Sequence, residues 1–100
     1  MAKFVYIYSG GKMPETAEEG QRFMDAWGVW AGGLGAAITD QGNAFGTSTS
    51  VSSAGSSGSG PAGGYSIITA DSLEDAAKKV EGNPVVVAGG KVDVYETVDM

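Results

Sequence analysis

The groups in this chain that could move a proton or hold a small ligand are few: Asp40, three residues before Asn43, and four tyrosines, Tyr6, Tyr8, Tyr65 and Tyr95. They stand almost alone because the 100 residues include no histidine and no cysteine. That excludes Ser-His-Asp and Cys-His nucleophiles, the usual zinc ligand sets and disulfides. Asp40 is the carboxylate for a proton-transfer role, because it ends a predicted strand, and such ends border a helix-sheet cleft. An Asx turn is the competing reading of the same residue. Trp27 and Trp30, with Phe23, form an aromatic stripe that serves either an apolar ligand or the core. The candidate ligand-binding residues are therefore Tyr6, Tyr8, Trp27, Trp30, Asp40, Asn43 and Tyr65.

Other motifs read as structure. Glu18, Glu19, Asp25, Glu74 and Asp75 fall at helix caps and on solvated faces, and no pair of acids has metal-ligand spacing, so neither a metal nor a cofactor is expected. Residues 58–63 spell G-x-G-x-x-G but lead into a strand, whereas a dinucleotide loop follows a strand and opens a helix. Gly11-Lys12 and Gly90-Lys91 lack the spacing of a phosphate loop and read as turns.

The elements that must position these groups follow from periodicity and caps. Lys3 to Ser9 is β-branched and aromatic with apolar groups on both faces, an interior strand ended by Gly10 and Gly11. Thr16 and Glu19 form a capping box that opens a helix running to about Gly33, with Phe23, Trp27, Trp30 and Leu34 along one stripe. Ala36 to Gln41 reads as a short strand and Thr47 to Ser52 as a thin edge strand. Residues 53–64 are almost all Ser, Gly, Ala and Pro, a flexible loop within one domain that spans residues 1–100. Tyr65 to Ala70 is the next strand; Asp71 or Ser72 caps a second helix with Lys78 and Lys79 in its last turn; 83–90 is an irregular apolar segment; and Val92 to Val98 is the final strand.

This order gives an α+β fold, a ferredoxin-like βαββαβ sandwich with both helices on one face of an antiparallel sheet. Phe4, Tyr6 and Tyr8 point one way and Val5 and Ile7 the other, so both sheet faces carry apolar groups although two helices can cover only one, and a face-to-face homodimer is the simplest cover for the other. A net charge of −6 with six basic residues leaves little to neutralise a phosphate backbone, so neither nucleic acid nor an anionic membrane surface is an expected partner. No apolar run reaches the roughly 18 residues of a membrane helix, the first nine residues are too short for a signal-peptide core, and the expected location is cytoplasmic.

With that order in place, the stretch from Gly64 through Tyr65 and the Ala70-Asp71-Ser72-Leu73 run to Ala76, then Pro84, then Gly89-Gly90-Lys91-Val92-Asp93-Val94, resembles the C-terminal half of the YCII-related family. Pro14 to Gly20, Ala26-Trp27-Gly28 and Gly42 to Gly46 resemble the N-terminal half of a subgroup. The resemblance implies a dimeric α/β barrel built from two ferredoxin-like subunits. Some members pair a histidine in the first helix with an aspartate as an acid-base site. Here the region around Phe23 and Met24 has no histidine, and only Asp40 stands at the end of the second strand. The expected function is binding of an apolar or aromatic small molecule in a helix-sheet cleft of a homodimer. The alternatives are a cofactor-free lyase or oxygenase using Asp40 and a tyrosine, and a regulatory module that meets a protein through its acidic surface or its Ser/Gly loop.

Overall fold

The computed structural model describes residues 2–58 and 60–99. The elements are β1 (Ala2–Ser9), α1 (Ala17–Leu34), a 3-10 turn (Gly35–Ala37), β2 (Ile38–Asp40), β3 (Ser50–Ser52), β4 (Gly55–Ser57), β5 (Gly64–Ala70), α2 (Leu73–Lys78), α3 (Pro84–Val87) and β6 (Lys91–Glu96). The chain is an α+β protein built on a four-stranded sheet, ordered β2-β5-β1-β6, in which every neighbouring pair is antiparallel. No helix among the described residues is long and apolar enough to cross a membrane.

Local chemistry fixes the helix starts. The Thr16 hydroxyl accepts the Glu19 N–H at 3.0 Å, and the Glu19 carboxylate reaches back to the Glu15 N–H at 2.8 Å. Ser72 accepts from Asp75 N–H at 3.0 Å at the head of α2. Asn83 does the same for α3, its Oδ1 accepting from Val85 N–H at 2.9 Å with Pro84 at the first helical position.

Strand alternation then sorts the side chains onto two faces. Phe4, Tyr6 and Tyr8 of β1 and Ser66, Ile68 and Ala70 of β5 are buried, and Trp30 and Ala31 of α1, Ala76 of α2 and Val85 of α3 close over them. All three helices therefore cover the same face. The opposite face carries Val5 between Ile67 and Tyr95, and Ile7 between Tyr65 and Asp93. Val5, Ile7, Tyr65 and Ile67 are only half-buried there and Tyr95 is exposed.

Three expectations change. Residues 53–64 are not a loop throughout: Gly55–Ser57 pairs with Ser50–Ser52 as a hairpin, in the register Ser50 to Ser57, Val51 to Ser56 and Ser52 to Gly55. The turn forms because the Ser52 hydroxyl accepts the Ala54 N–H at 3.2 Å and Gly55 takes φ +110°, which a side chain would resist. The strand expected over Thr47 to Ser52 shrinks to Ser50–Ser52 and belongs to this separate two-stranded sheet, not to the edge of the main one. Within 83–90, expected to be irregular, Pro84–Val87 forms one helical turn under the Asn83 cap. Ser59 lies outside the described residues.

Candidate functional site

The first helix and the first strand bring four of the seven candidate residues together. Trp27 packs edge-on against Tyr8 with ring centroids 5.1 Å apart, and against Phe23 at 6.2 Å and Trp30 at 5.5 Å. Trp30 lies over Tyr6 at 6.1 Å, and Tyr6 and Tyr8 meet at 6.4 Å. The rings face one another, so the layer between α1 and the sheet is filled by its own aromatics. Such edge-to-face pairs are worth about 0.5–1.5 kcal/mol each beyond the area they bury.

The polar ends of these rings are tied down. Tyr6 Oη donates to the Ala76 carbonyl, and Tyr8 Oη donates to Ser66 Oγ at 2.8 Å, which in turn donates to the Gln41 carbonyl at 2.7 Å. Burial pushes the Tyr6 hydroxyl well above the ordinary tyrosine value, and the neighbouring Tyr8 and Asp75 add to it. Tyr8 is raised by burial as well, against the opposing pull of Ser66 and of the Asn83 amide that faces it. Asn83 is fully buried, and its Nδ2 finds no hydrogen-bond partner among the described residues although its Oδ1 caps α3. Ser66 and Asn83 are the polar residues that sequence reasoning did not single out. The available signals were a serine on the core phase of an alternating strand and an Asn-Pro pair at a helix start.

The remaining three candidates lie elsewhere. Tyr65 sits on the opposite face of the sheet, opposite Ile7, and stacks on Phe45 with centroids 5.8 Å apart and planes at 19°. It cannot share a pocket with Trp27 and Trp30. Asp40 is exposed at the β2 edge, where its Oδ1 accepts the Gly42 N–H at 2.8 Å, an Asx turn. Asn43 is exposed and contributes its backbone carbonyl, which accepts the Tyr65 N–H at 3.2 Å. Gly42 is required between them: at φ +74°, a Cβ would fall 1.7 Å from the Tyr65 carbonyl oxygen. Asp40 is thus hydrogen-bonded to Gly42, and Tyr6 and Tyr8 to Ala76 and Ser66, and no hydrogen bond among the described residues joins Asp40 to either buried tyrosine. Residues 58–63 lead into β5 and not into a helix, and among the described residues no three acids gather to hold a metal.

What is open lies beside α1. One groove runs between the C-terminal half of α1 and the end of α2, bordered by Val29, Trp30, Leu34, Lys78 and Lys79; a second runs between the N-terminal half and α3, bordered by Lys12, Met13, Arg22, Phe23, Pro84 and Val87. Both are shallow, with largely apolar walls. Their cations come from three separate stretches of chain, which is why spacing along the sequence does not reveal them. No protein-family model matches this chain, and no curated protein is significantly similar to it.

Proposed function

We propose that this chain is the subunit of a cytoplasmic face-to-face homodimer, ferredoxin-like and related to the YCII family, that binds a small apolar or aromatic molecule in the groove along α1. The strand order β2-β5-β1-β6 with antiparallel neighbours supports the first part, because it is the order of a split βαβ sandwich with both crossovers on one face. The row Tyr95, Val5 and Ile67 and the adjoining pair Ile7 and Tyr65 form a contiguous apolar patch that no helix covers, which supports the dimer. Light scattering at micromolar concentration is expected to give twice the chain mass, and Ile67→Lys to give a monomer of unchanged circular dichroism. A monomeric parent would end the barrel reading.

The observation that carries the ligand reading is the apolar groove beside α1 with Trp30 on its wall, in a domain whose helix-sheet layer is already filled. A panel of phenols, quinones and short-chain acids is expected to contain a compound that changes tryptophan fluorescence saturably at one site per chain. If none does, the groove is ordinary surface.

One observation favours protein recognition as a second reading. The described residues of the 50–56 hairpin are all exposed, and Val51, at 77% exposure, is the one large apolar side chain there. A protein that loses a stoichiometric partner when 50–57 is replaced by a short turn would support that role over the first.

A further inference from the structure

The two grooves share Ala26 and Gly82, so they adjoin end to end along α1, and we treat the pair as one trough. From Glu19 to Leu34 that helix rises roughly 22 Å at about 1.5 Å per residue. The distribution of charge along it is uneven. The chain has six cationic and twelve acidic side chains, and four of the cations, Lys12, Arg22, Lys78 and Lys79, line the trough, against only Glu19 and Glu81 among the acids. This apolar trough is thus also where four of the six positive charges of an acidic protein gather.

The two ends differ in how free their cations are. At the far end Lys79 is partly buried and held by Asp75 at 3.5 Å. At the near end no carboxylate among the described residues pairs with Lys12, and its backbone is fixed by a hydrogen bond from its N–H to the Ala88 carbonyl at 2.9 Å. Arg22 pairs with Glu18, but both side chains are more than 70% exposed. Such a contact contributes little, and a guanidinium has donors to spare for a second carboxylate. Glu19, the acid at this end, has its carboxylate turned to the Glu15 N–H. Beside these cations stand Phe23, Met13 and Val87, the last two at 77% exposure.

We infer that the trough takes an organic anion with an apolar body, an alkyl or aryl carboxylate, whose head sits between Lys12 and Arg22 and whose body runs past Phe23 and Ala26 toward Trp30. This rests on the ligand reading above and adds the charge and the orientation of the ligand. An apolar body alone would gain nothing from the cations, and a polyanion would gain nothing from the apolar walls. An amphiphilic acid uses both.

Calorimetric titration of the full chain with decanoate and with decanol, which share a tail and differ in charge, tests it. Decanoate is expected to bind one molecule per chain at least tenfold tighter than decanol. The double variant Lys12→Gln/Arg22→Gln is expected to lose that preference with decanol binding unchanged, and Lys78→Gln/Lys79→Gln to keep it. Equal binding of acid and alcohol by the parent would overturn the anion inference and leave the groove reading standing. No binding of either would overturn both. Loss of preference in the Lys78/Lys79 variant alone would overturn the placement of the head.

Discussion

The indole Nε1 of Trp30 donates to the Lys79 carbonyl at 3.0 Å, which ties α1 to the residue that ends α2. Two residues 49 positions apart in sequence are joined there, through one side chain that also packs on Tyr6. Trp30→Phe keeps an aromatic ring and removes the donor, and is expected to cost about 1–2 kcal/mol, as for a partly buried hydrogen bond left half-made. Trp30→Ala is expected to cost about 3–5 kcal/mol through the cavity it opens. Urea denaturation with unchanged m-value measures both.

Tyr6 and Tyr8 make the fold sensitive to base. Their hydroxyls are held above the ordinary tyrosine value by burial, so the unfolded chain ionises first as pH rises. Their contribution is complete below a pH of about 10, the unperturbed tyrosine value, and is lost as pH climbs through the higher folded values. Tyrosinate absorbance from these two residues is expected to appear together with loss of circular dichroism. Tyr6→Phe/Tyr8→Phe, weaker at neutral pH, is expected to lose stability less steeply above that point.

Gly42 is a position where only glycine fits. Its φ of +74° and the 1.7 Å approach of a hypothetical Cβ to the Tyr65 carbonyl oxygen require both backbone strain and displacement of β5. Gly42→Ala is expected to cost about 2–4 kcal/mol, the sum of an unfavourable left-handed conformation and overpacking. Thermal denaturation is the measurement, and Gly28→Ala, on the open side of α1 with nothing within 4 Å of its Cβ position, is the control expected to stabilise.

Asp40 separates turn from catalyst. Asp40→Asn retains an oxygen to accept the Gly42 N–H and is expected to change stability by less than about 0.5 kcal/mol, whereas Asp40→Ala is expected to cost about 1 kcal/mol. A stability difference of that pattern identifies the turn role. Should any ligand be consumed by the protein, turnover unchanged in Asp40→Asn would remove Asp40 from the chemistry.

The elements whose signals are local were legible in the sequence. Thr16 and Ser72 marked helix starts that their hydroxyls do cap, and the alternation of Phe4, Tyr6 and Tyr8 with Val5 and Ile7 gave the two faces of β1. The hairpin at Ser50–Ser57 was not, because its register is set by backbone pairing and a serine turn, and Ser and Gly carry no hydrophobic period to read. The candidate site depended on a fact no local pattern holds. Tyr65 looks like Tyr6 and Tyr8 in sequence, yet its pairing opposite Ile7 sends it to the other side of the sheet. The aromatic stripe of α1 was readable as a stripe, but that its rings would meet Tyr6 and Tyr8 instead of a vacant cleft is a matter of long-range packing. The trough beside it draws on Lys12 and Lys78, which only the fold brings to one groove.

The central strand β1 has a neighbour on each side, β5 and β6, and both follow it in the chain by more than 50 residues. During synthesis, then, Phe4, Tyr6 and Tyr8 emerge long before any strand they can pair with. A high share of such distant pairings slows folding, and an apolar strand kept waiting is a site for chaperone capture or misassociation. The four-stranded sheet is complete only once Lys91–Glu96 has been made, so the central pairing of this fold is among the last things its synthesis makes possible.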